Sequence, residues 1–223
     1  MTMTLVFDVY GTLVDPMGMA DLLAPDAGEA AESVSAQWRE KQLEFSFRKG
    51  LMRMYEDFGA CTRQALRYAM ASHGLSLSGE REDELMGAYL SLPAFDDSLP
   101  ARESLQGVYR MFAFSNGTYP ALEKVLGHNH LLDQFEGLVS VDDIKSFKPD
   151  PAVYAYARRA TGAMDKPLCL VSSNAWDVIG ARAAGLTAIW VQRDAGKVFE
   201  DWGIEPNAVV RSLSELPGAL ANL

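Results

Sequence analysis

The sequence is poor in cysteine and in basic residues. Its 223 residues include two cysteines, Cys61 and Cys169, which lie in helical or apolar surroundings and lack the spacing of metal ligands. We therefore expect two reduced thiols, which are typical of cytoplasmic proteins. Lys and Arg total 20 against 30 Asp and Glu, so the net charge is −10. A chain this acidic is a poor match for nucleic acid or an anionic membrane surface, and we expect neither as a partner.

The sequence also lacks the long apolar runs of membrane proteins. No segment approaches the roughly 20 apolar residues that a membrane-spanning helix needs. The first residues, MTMTLVFD, contain neither the basic residues nor the apolar segment of a signal peptide. With 48% hydrophobic and 22% charged residues, the composition predicts a globular protein that has one domain with an insert or two small domains.

Short apolar runs and helical patterns alternate over most of the chain. This alternation predicts an α/β fold in which helices cover both faces of a parallel sheet. The predicted strands are 4–8, 108–114, 137–141, 167–172, 187–192 and 208–210.

Residues 16–95 interrupt this alternation, because they contain helical patterns and no convincing strand. Val34, Trp38, Gln42 and Phe45 recur at spacings of three and four, which predicts a helix. Asp26 followed by Glu29 has the pattern of a capping pair that opens this helix. Further helices are predicted at about 47–57, 61–73 and 79–91.

The sequence therefore predicts a helical cap, residues 16–95, inserted into a core made of 1–15 and 96–223. The two joints fall near 14–19 and 93–98, where Pro16, Gly18 and Pro93 suit hinge segments. We expect the cap to close over a cleft and to keep bulk water from it.

Asp8 is the first candidate for chemistry. It ends the apolar run Leu5-Val6-Phe7 and is followed by Tyr10, Gly11 and Thr12. A charge at the end of a buried strand is costly unless a neighbouring group stabilises it. Ligands of open α/β sheets bind at the carboxyl ends of the strands. Asp8 is therefore a candidate nucleophile.

Two further polar clusters accompany predicted strand ends or helix starts. Ser115, Asn116 and Gly117 follow the second strand, where they suit a polar or anionic ligand, although the same residues make a good turn. Lys148 precedes a helix that Asp150 is predicted to cap. A lysine beside a carboxylate keeps that carboxylate ionised, whereas an isolated lysine is more often solvated.

The fourth cluster, Ser172-Ser173-Asn174, ends the fourth strand, and Asp177 follows three residues later. Asn174 and Asp177 also fit an ordinary helix start, with a capping amide and an acid in the first turn. All four clusters together are hard to explain by chance, and they predict one site at one edge of the sheet.

These residues resemble the haloacid dehalogenase superfamily, and within it the (S)-2-haloacid dehalogenases, also called L-2-haloacid dehalogenases of type II. The resemblance covers essentially the whole chain. It implies a Rossmann-like parallel-sheet core with an inserted helical cap. The segments that carry it are FDVYGTLVD at 7–15, WREKQLEFSF at 38–47, YEDFGACTRQALRYAM at 55–70, FSNG at 114–117, FKPDPAVY at 147–154 and SSNAWDVIGARAAG at 172–185.

The chain departs from the phosphatases of this superfamily at two places. They carry a second aspartate two residues after the nucleophile, where this chain has Tyr10. They also hold magnesium with acids in the fourth cluster, where 172–174 reads Ser-Ser-Asn and Asp177 is the remaining acid. Asp8 and Asp177 with Lys148 nearby make a poor magnesium site, so we expect neither a metal nor a cofactor.

The resemblance implies the hydrolysis of short (S)-2-haloalkanoic acids to (R)-2-hydroxy acids. Asp8 attacks the carbon that bears the halogen, inverts that centre and forms an ester. Water then attacks the carboxyl carbon of Asp8. Asp177 would position or deprotonate this water, while Ser172, Asn174 and Lys148 hold the arrangement.

Arg39 is the contribution of the cap in this pattern, with Asn116 as its partner at the halide. An isolated arginine on a helix is more often an ordinary surface residue, but the surrounding WREKQLEF match favours a role in the cleft. Glu40 stands where relatives are expected to have glutamine; it would either weaken anion binding or point to solvent.

The remaining implied roles are binding and orientation. Thr12, Ser115 and Lys148 are expected to hold the substrate carboxylate or Asp8, and Tyr154 to orient Lys148 or a neighbour. Core packing is an equally good explanation for two members of the expected substrate wall, Leu43 and Phe58. The residues expected to contact the substrate are Tyr10, Gly11, Arg39, Leu43, Phe58, Asn116 and Trp176.

Three alternatives remain at this point. The same covalent route would serve another electrophilic carbon, such as that of azetidine-2-carboxylate, because the pocket selects the substrate. A phosphatase of the same fold and a non-catalytic protein on the same scaffold are the others. The apolar cap helices also offer a surface for a homodimer, which is usual in the resembled family.

Overall fold

The computed structural model describes residues 3–223, and its centre is a six-stranded parallel sheet in the order β3-β2-β1-β4-β5-β6. Each predicted strand is present to within two residues, so the predicted α/β core is confirmed. The strands are β1 (Thr4–Phe7), β2 (Arg110–Ser115), β3 (Gly137–Ser140), β4 (Leu168–Ser172), β5 (Thr187–Val191) and β6 (Ala208–Val210).

The register of the sheet brings the ends of β1, β2 and β4 together. Phe7, the last residue of β1, is paired with Ala113 of β2 and Val171 of β4. β1 is fully buried because it lies in the middle of the sheet and helices cover both faces. The side chains that follow these three strands therefore meet at one edge.

Nine α-helices are found within residues 3–223, and five of them lie between β1 and β2. They are α1 (Ala20–Ala27), α2 (Ala31–Met52), α3 (Phe58–Ser72), α4 (Gly79–Tyr89), α5 (Ser98–Leu105), α6 (Tyr119–His128), α7 (Pro151–Ala160), α8 (Ala175–Ala183) and α9 (Leu216–Leu220). In 3–223, no helix combines the length and the apolar character that crossing a membrane requires.

Two expectations about the inserted helices are wrong. Asp26 does not open α2: it lies inside α1, and its carboxylate accepts a hydrogen bond from Arg81 at 2.9 Å. The helix expected at 47–57 is instead the end of α2, which continues to Met52. Gly50 does not interrupt α2, since a helical glycine costs only about 1 kcal/mol and this one lies against the ring of Phe147.

The two segments that join the inserted helices to the sheet lie side by side. Val14 forms an antiparallel bridge with Ala94, Asp15 N donates to the carbonyl of Pro93, and the Phe95 amide donates to Leu13. This pairing places both joints at the edge where β1 ends. The division of the chain at residues 15 and 96 remains a prediction.

Candidate active site

Asp8 lies directly after β1 and is 5% exposed. Its Oδ2 accepts hydrogen bonds from Thr12 Oγ1 and Asn174 Nδ2, both at 2.8 Å, and from Ser172 Oγ at 3.3 Å. Its Oδ1 accepts one, from Lys148 Nζ at 3.1 Å. These four donors stabilise a buried carboxylate. Three of them bond Oδ2 and one bonds Oδ1, so the two oxygens have different environments.

Lys148 places its ammonium between two carboxylates. The lysine is 1% exposed, and Nζ donates to Asp8 Oδ1, to Asp177 Oδ2 at 2.9 Å and to the carbonyl of Phe114 at 2.9 Å. Burial acts to lower the pKa of Lys148, but the two carboxylates outweigh it, so the pKa lies above its ordinary value. The lysine therefore carries its charge at neutral pH.

Asp177 lies in the first turn of α8 and is fully buried. Its Oδ1 accepts a 2.8 Å hydrogen bond from the hydroxyl of Tyr154, a buried residue of α7. Burial raises the pKa of Asp177, and Lys148 and the Tyr154 hydroxyl oppose this rise. Asp177 thus lies between Tyr154 and Lys148, and the expectation that Tyr154 orients Lys148 or a neighbour stays a prediction.

The fourth cluster turns its side chains toward Asp8. Asn174 is the N-cap residue of α8 by position, but its side chain makes no capping bond and instead donates to Asp8 Oδ2 and to the Tyr10 carbonyl at 3.2 Å. Ser173 donates to the Gly11 carbonyl at 2.6 Å. The ordinary capping explanation therefore does not account for Asn174.

Thr12 and Gly11 form the turn that follows Asp8. Thr12 Oγ1 donates to Asp8 and accepts from the Ser173 amide at 2.8 Å, so it ties β1 to β4. Gly11 adopts φ 91°, a left-handed conformation that favours glycine. The turn thus shapes the site through its backbone.

Arg39 reaches the site from α2. Its guanidinium donates to the carbonyl of Tyr10 at 3.2 Å and to Gln42 Oε1 at 2.6 Å. Gln42 is fully buried and also bonds the Thr62 hydroxyl at 2.6 Å and accepts from Tyr89 at 3.0 Å. The adjacent Glu40 is exposed and points to solvent, which is one of the two alternatives expected for it.

A small cavity lies between Asp8 and the inserted helices. Its volume of about 10 Å³ is room for about one water molecule. Asn116 uses its Oδ1 to accept from the Lys148 amide at 2.9 Å, which leaves its Nδ2 available to the cavity. The lining residues are Asp8, Tyr10, Arg39, Leu43, Phe58, Ser115, Asn116, Asn174 and Trp176.

All nine lining residues belong to the set expected from the sequence. The other expected residues lie behind the lining: Thr12, Lys148 and Ser172 bond Asp8 directly, and Tyr154 and Asp177 lie one layer deeper. Gly11 is the one expected contact residue that does not line the cavity.

Gln42 is the functional candidate that the sequence reasoning missed. The sequence predicts it only as part of the helical pattern of 34–45. The available signal was a long polar side chain on the apolar stripe of a helix, three residues after Arg39. Such a side chain must find buried partners, and here one of them is Arg39.

The acidic residues of the site do not form a metal cluster. Within 3–223, no three or more His, Cys, Asp and Glu side chains are grouped so that they could hold an ion. Asp8 and Asp177 instead share the ammonium of Lys148.

The comparisons with known proteins agree on one family. The sequence model of one protein family, the haloacid dehalogenase-like hydrolases, matches residues 2–185. An (S)-2-haloacid dehalogenase of Pseudomonas fluorescens is 35% identical over 97% of this chain and 96% of its own length. That of Pseudomonas sp. strain YL is 39% identical over 94% of this chain and 90% of its own.

The solved structures give the same result for the fold. The L-2-haloacid dehalogenase of Xanthobacter autotrophicus with covalently bound chloropropionic acid superposes with a TM-score of 0.93 at 29% identity, and each chain is covered completely. Both the model and the relatives extend over the residues that surround Asp8. The chain therefore belongs to the haloacid dehalogenase-like hydrolases, in their (S)-2-haloacid dehalogenase branch.

Proposed function

We propose that the protein hydrolyses short (S)-2-haloalkanoic acids to (R)-2-hydroxy acids through an ester on Asp8. The observation that carries this proposal is the pair of unequal environments at the two oxygens of Asp8, at the floor of a cavity that Arg39 and Asn116 also line. Tyr10 stands where a phosphatase would need its acid, and no geometry here favours that alternative.

The first step is an attack by Asp8 Oδ1. This oxygen accepts one hydrogen bond, whereas Oδ2 accepts three, so Oδ1 keeps a lone pair for the substrate. A bond forms between Oδ1 and the carbon that bears the halogen, and the carbon–halogen bond breaks on the opposite side with its electron pair. The result is an ester and a halide ion.

Arg39 and Asn116 receive the halide. The Arg39 guanidinium is held by Gln42 and the Tyr10 carbonyl, and its other N–H groups remain for an anion. The Nδ2 group of Asn116 adds a second donor. Donors that are fixed before the reaction stabilise the charge that develops on the leaving group.

The substrate carboxylate and side chain have separate partners. Ser115 lines the cavity and accepts from the Gly117 amide, so its own hydroxyl hydrogen is free to bond the carboxylate. The apolar wall for the short chain consists of Tyr10, Leu43, Phe58 and Trp176.

The second step is hydrolysis of the ester. Water attacks the carboxyl carbon of Asp8, negative charge develops on Oδ2, and the bond from that carbon to Oδ1 breaks. One proton of the water ends on Oδ1, which becomes the hydroxyl oxygen of the 2-hydroxy acid, and the other is released as Asp8 returns to its ionised form. Thr12, Ser172 and Asn174 already donate to Oδ2 and would stabilise this charge. We assign Asp177 to position the water or take its proton, because burial raises the pKa of Asp177 toward that of a base.

The proposed reaction uses neither a metal nor a cofactor. Lys148 supplies the positive charge between Asp8 and Asp177, where a cation would otherwise be required. Halide release should therefore be insensitive to a chelator.

A panel of substrates tests the proposal. Halide release is measured for fluoro-, chloro- and bromoacetate and for both 2-chloropropanoate enantiomers. For azetidine-2-carboxylate, ring opening is measured instead. Each assay is run with and without EDTA. We expect turnover of (S)-2-chloropropanoate that Asp8→Asn abolishes and Asp150→Asn preserves, since asparagine also caps helices well. Activity that requires magnesium, or preference for azetidine-2-carboxylate, would refute the proposal.

Isotope labelling tests the ester. After many turnovers in heavy-oxygen water, we expect mass spectrometry to find one label in Asp8. A single label is expected because each hydrolysis releases Oδ1 in the product and replaces it with an oxygen from water. Oδ2, which three donors hold, stays in Asp8. Label in the product alone after a single turnover would mean direct attack by water on the substrate.

Assembly and location are further proposals. Leu51, Met52 and Met54 are exposed at the end of the inserted α2 and its following loop, which supports a homodimer through this region. Light scattering on the purified protein tests it. Cys61 and Cys169 are buried, unpaired thiols, which supports a cytoplasmic location, and cell fractionation tests that.

A further inference from the structure

Arg102 is a buried cation without a carboxylate partner. It lies in α5 and is 1% exposed, and its Nε and Nη2 have no hydrogen-bond partner in the described part of the chain. Its remaining contacts are weak: Nη1 lies 3.7 Å from the sulfur of Met111, and the guanidinium lies 5.8 Å from the ring centre of Phe135. Burial lowers the pKa of Arg102, yet an arginine stays charged in proteins.

Such an arrangement is unfavourable for folding alone. A buried charge without a hydrogen-bonded partner destabilises a protein, and an apolar side chain of similar size would suit the position better. Functional sites are where such departures from good packing are expected.

Arg102 lines a cavity of about 590 Å³, a volume in the range of small-molecule sites. Arg110 and Lys166 also line it, and Asp133 and Glu136 are its acids. Glu136 is already paired with Arg110 at 2.9 Å. Among the described residues that line this cavity, Arg102 is therefore the buried cation that lacks a counterion.

The cavity is separate from the site at Asp8. Arg110 begins β2 and is paired with Thr4, the first residue of β1, whereas Asp8 follows the last residue of β1. The two sites lie at opposite ends of the strands, roughly 13 Å apart along β1 at 3.3 Å per residue.

A second group in the cavity wall also lacks a partner. Oε1 of Gln134 is buried and accepts no hydrogen bond within residues 3–223. A ligand that satisfies both Arg102 and Gln134 needs an anionic group and a hydrogen-bond donor. Phe135, Met111 and Val108 supply apolar surface for a carbon skeleton, which favours an organic acid over inorganic phosphate.

We propose that this cavity binds a small hydroxycarboxylate, whose carboxylate pairs with the Arg102 guanidinium and whose hydroxyl donates to Gln134 Oε1. A guanidinium and a carboxylate match each other in two parallel hydrogen bonds. The exposed turn at 106–109, which forms part of the wall, must shift to admit the ligand, and Gly107 lies in it. The product of the proposed reaction is also a hydroxycarboxylate, but the inference rests on Arg102 and Gln134.

Nuclear magnetic resonance on the full-length protein tests the proposal. Lactate, propanoate and inorganic phosphate are titrated separately, and backbone amide shifts are followed at Met111, Gln134 and Phe135 and at residues around Asp8. We expect lactate to move the first group and to bind there at least tenfold more tightly than propanoate or phosphate.

Three variants complete the experiment. Arg102→Met should abolish the lactate shifts at Met111 and Phe135 and leave the melting temperature unchanged or raised. Gln134→Met should reduce lactate binding to the level of propanoate. Arg159→Met, which removes an exposed arginine outside the cavity, should change neither.

The outcomes separate this proposal from the catalytic one. Absence of lactate shifts at Gln134 and Phe135 in the wild-type protein, or equal binding of lactate and propanoate, would overturn it. Neither of these results would count against the proposed hydrolysis at Asp8, because Arg102→Met is expected to keep wild-type halide release.

Discussion

At the scale of single residues, Lys148 determines the electrostatics of the site. Replacing it with methionine leaves Asp8 and Asp177 buried without the ammonium that they share. We expect Lys148→Met to lose activity and to reduce the free energy of unfolding by about 3–5 kcal/mol at neutral pH. Denaturant unfolding measures this. Lys145→Met, which removes an exposed lysine paired with Asp142, should cost less than about 1 kcal/mol.

The pH dependence of this effect has a definite sign. The pKa of Lys148 is raised in the folded protein, so its stabilisation is complete below the unfolded pKa and is lost as the pH rises through the folded value. The wild-type protein should therefore lose stability in this alkaline range, and Lys148→Met should lack that decline. A parallel decline in both proteins would contradict the assignment.

Tyr154 offers a second test, through the titration of Asp177. Tyr154→Phe removes a donor that keeps the pKa of Asp177 down, and a hydrogen bond to a charged group is worth about 1.5–3 kcal/mol. If ionised Asp177 activates the water, the acid limb of the kcat profile should move up by about one to two pH units. Tyr156→Phe, on the exposed side of the same helix, should leave the limb in place.

Much of this residue-level pattern follows from sequence. Asp8, Asn174 and Asp177 follow apolar runs, and parallel strands bring such positions to one edge. Which oxygen of Asp8 receives which donor does not follow, because those contacts join residues up to 166 positions apart. The connection from Tyr154 to Asp177 also requires the packing of α7 against α8.

At the scale of elements, α2 carries Arg39 and the buried Gln42 that holds it. Gln42→Leu should remove the acceptor that Tyr89 and Arg39 share and destabilise the protein by about 1–3 kcal/mol, while Arg39 keeps its bond to the Tyr10 carbonyl. We also expect kcat to fall at least tenfold with a smaller change in KM, since Arg39 acts on a charge that develops in the transition state.

The choice of variants separates orientation from packing. Gln42→Glu keeps an acceptor for Arg39 and should recover part of kcat. Gln64→Leu, at a partly exposed position of α3, should leave both kcat and stability close to wild type. An unchanged kcat in Gln42→Leu would mean that Arg39 needs no support from this residue.

Helix α8 approaches α7 closely at Gly180. A Cβ at this position would lie 2.5 Å from the Tyr154 hydroxyl and 2.6 Å from Pro149 Cβ. Gly180→Ala should therefore displace α8, reduce the melting temperature and lower kcat through Asp177. Gly127→Ala, in α6, meets nothing within 4 Å and should stabilise the protein by about 0.5–1 kcal/mol. Thermal unfolding of the two variants compares them directly.

Helix positions were easier to predict than helix partners. The small residues around Gly180 in the sequence favour close packing of this helix against the sheet, whereas the atoms nearest to Gly180 belong to Tyr154 and Pro149. The end of α2 was also misplaced, because the local pattern carries no information on the contact between Gly50 and Phe147. Both features depend on residues that are distant in the chain.

At the scale of the whole molecule, the cavity beside Asp8 is too small for the proposed substrate. A volume of about 10 Å³ holds about one water molecule, whereas a 2-haloalkanoic acid has at least five heavy atoms. The inserted helices that carry Arg39 and Leu43 must therefore move away from the sheet before the substrate enters. The paired joints at Val14 and Ala94 are where we expect this motion to originate.

A reversible crosslink tests this motion. A Cβ on Gly50 in α2 would lie 4.0 Å from Cβ of Phe147, which precedes Lys148, and this separation suits a disulfide. The oxidised Gly50→Cys, Phe147→Cys protein should lose at least 90% of its halide release, because α2 can no longer leave the sheet, and reduction should restore it. The two single variants serve as controls. Oxidation should not change their halide release, because Cys61 and Cys169 are buried. Full turnover by the crosslinked protein would mean that the substrate enters without movement of α2.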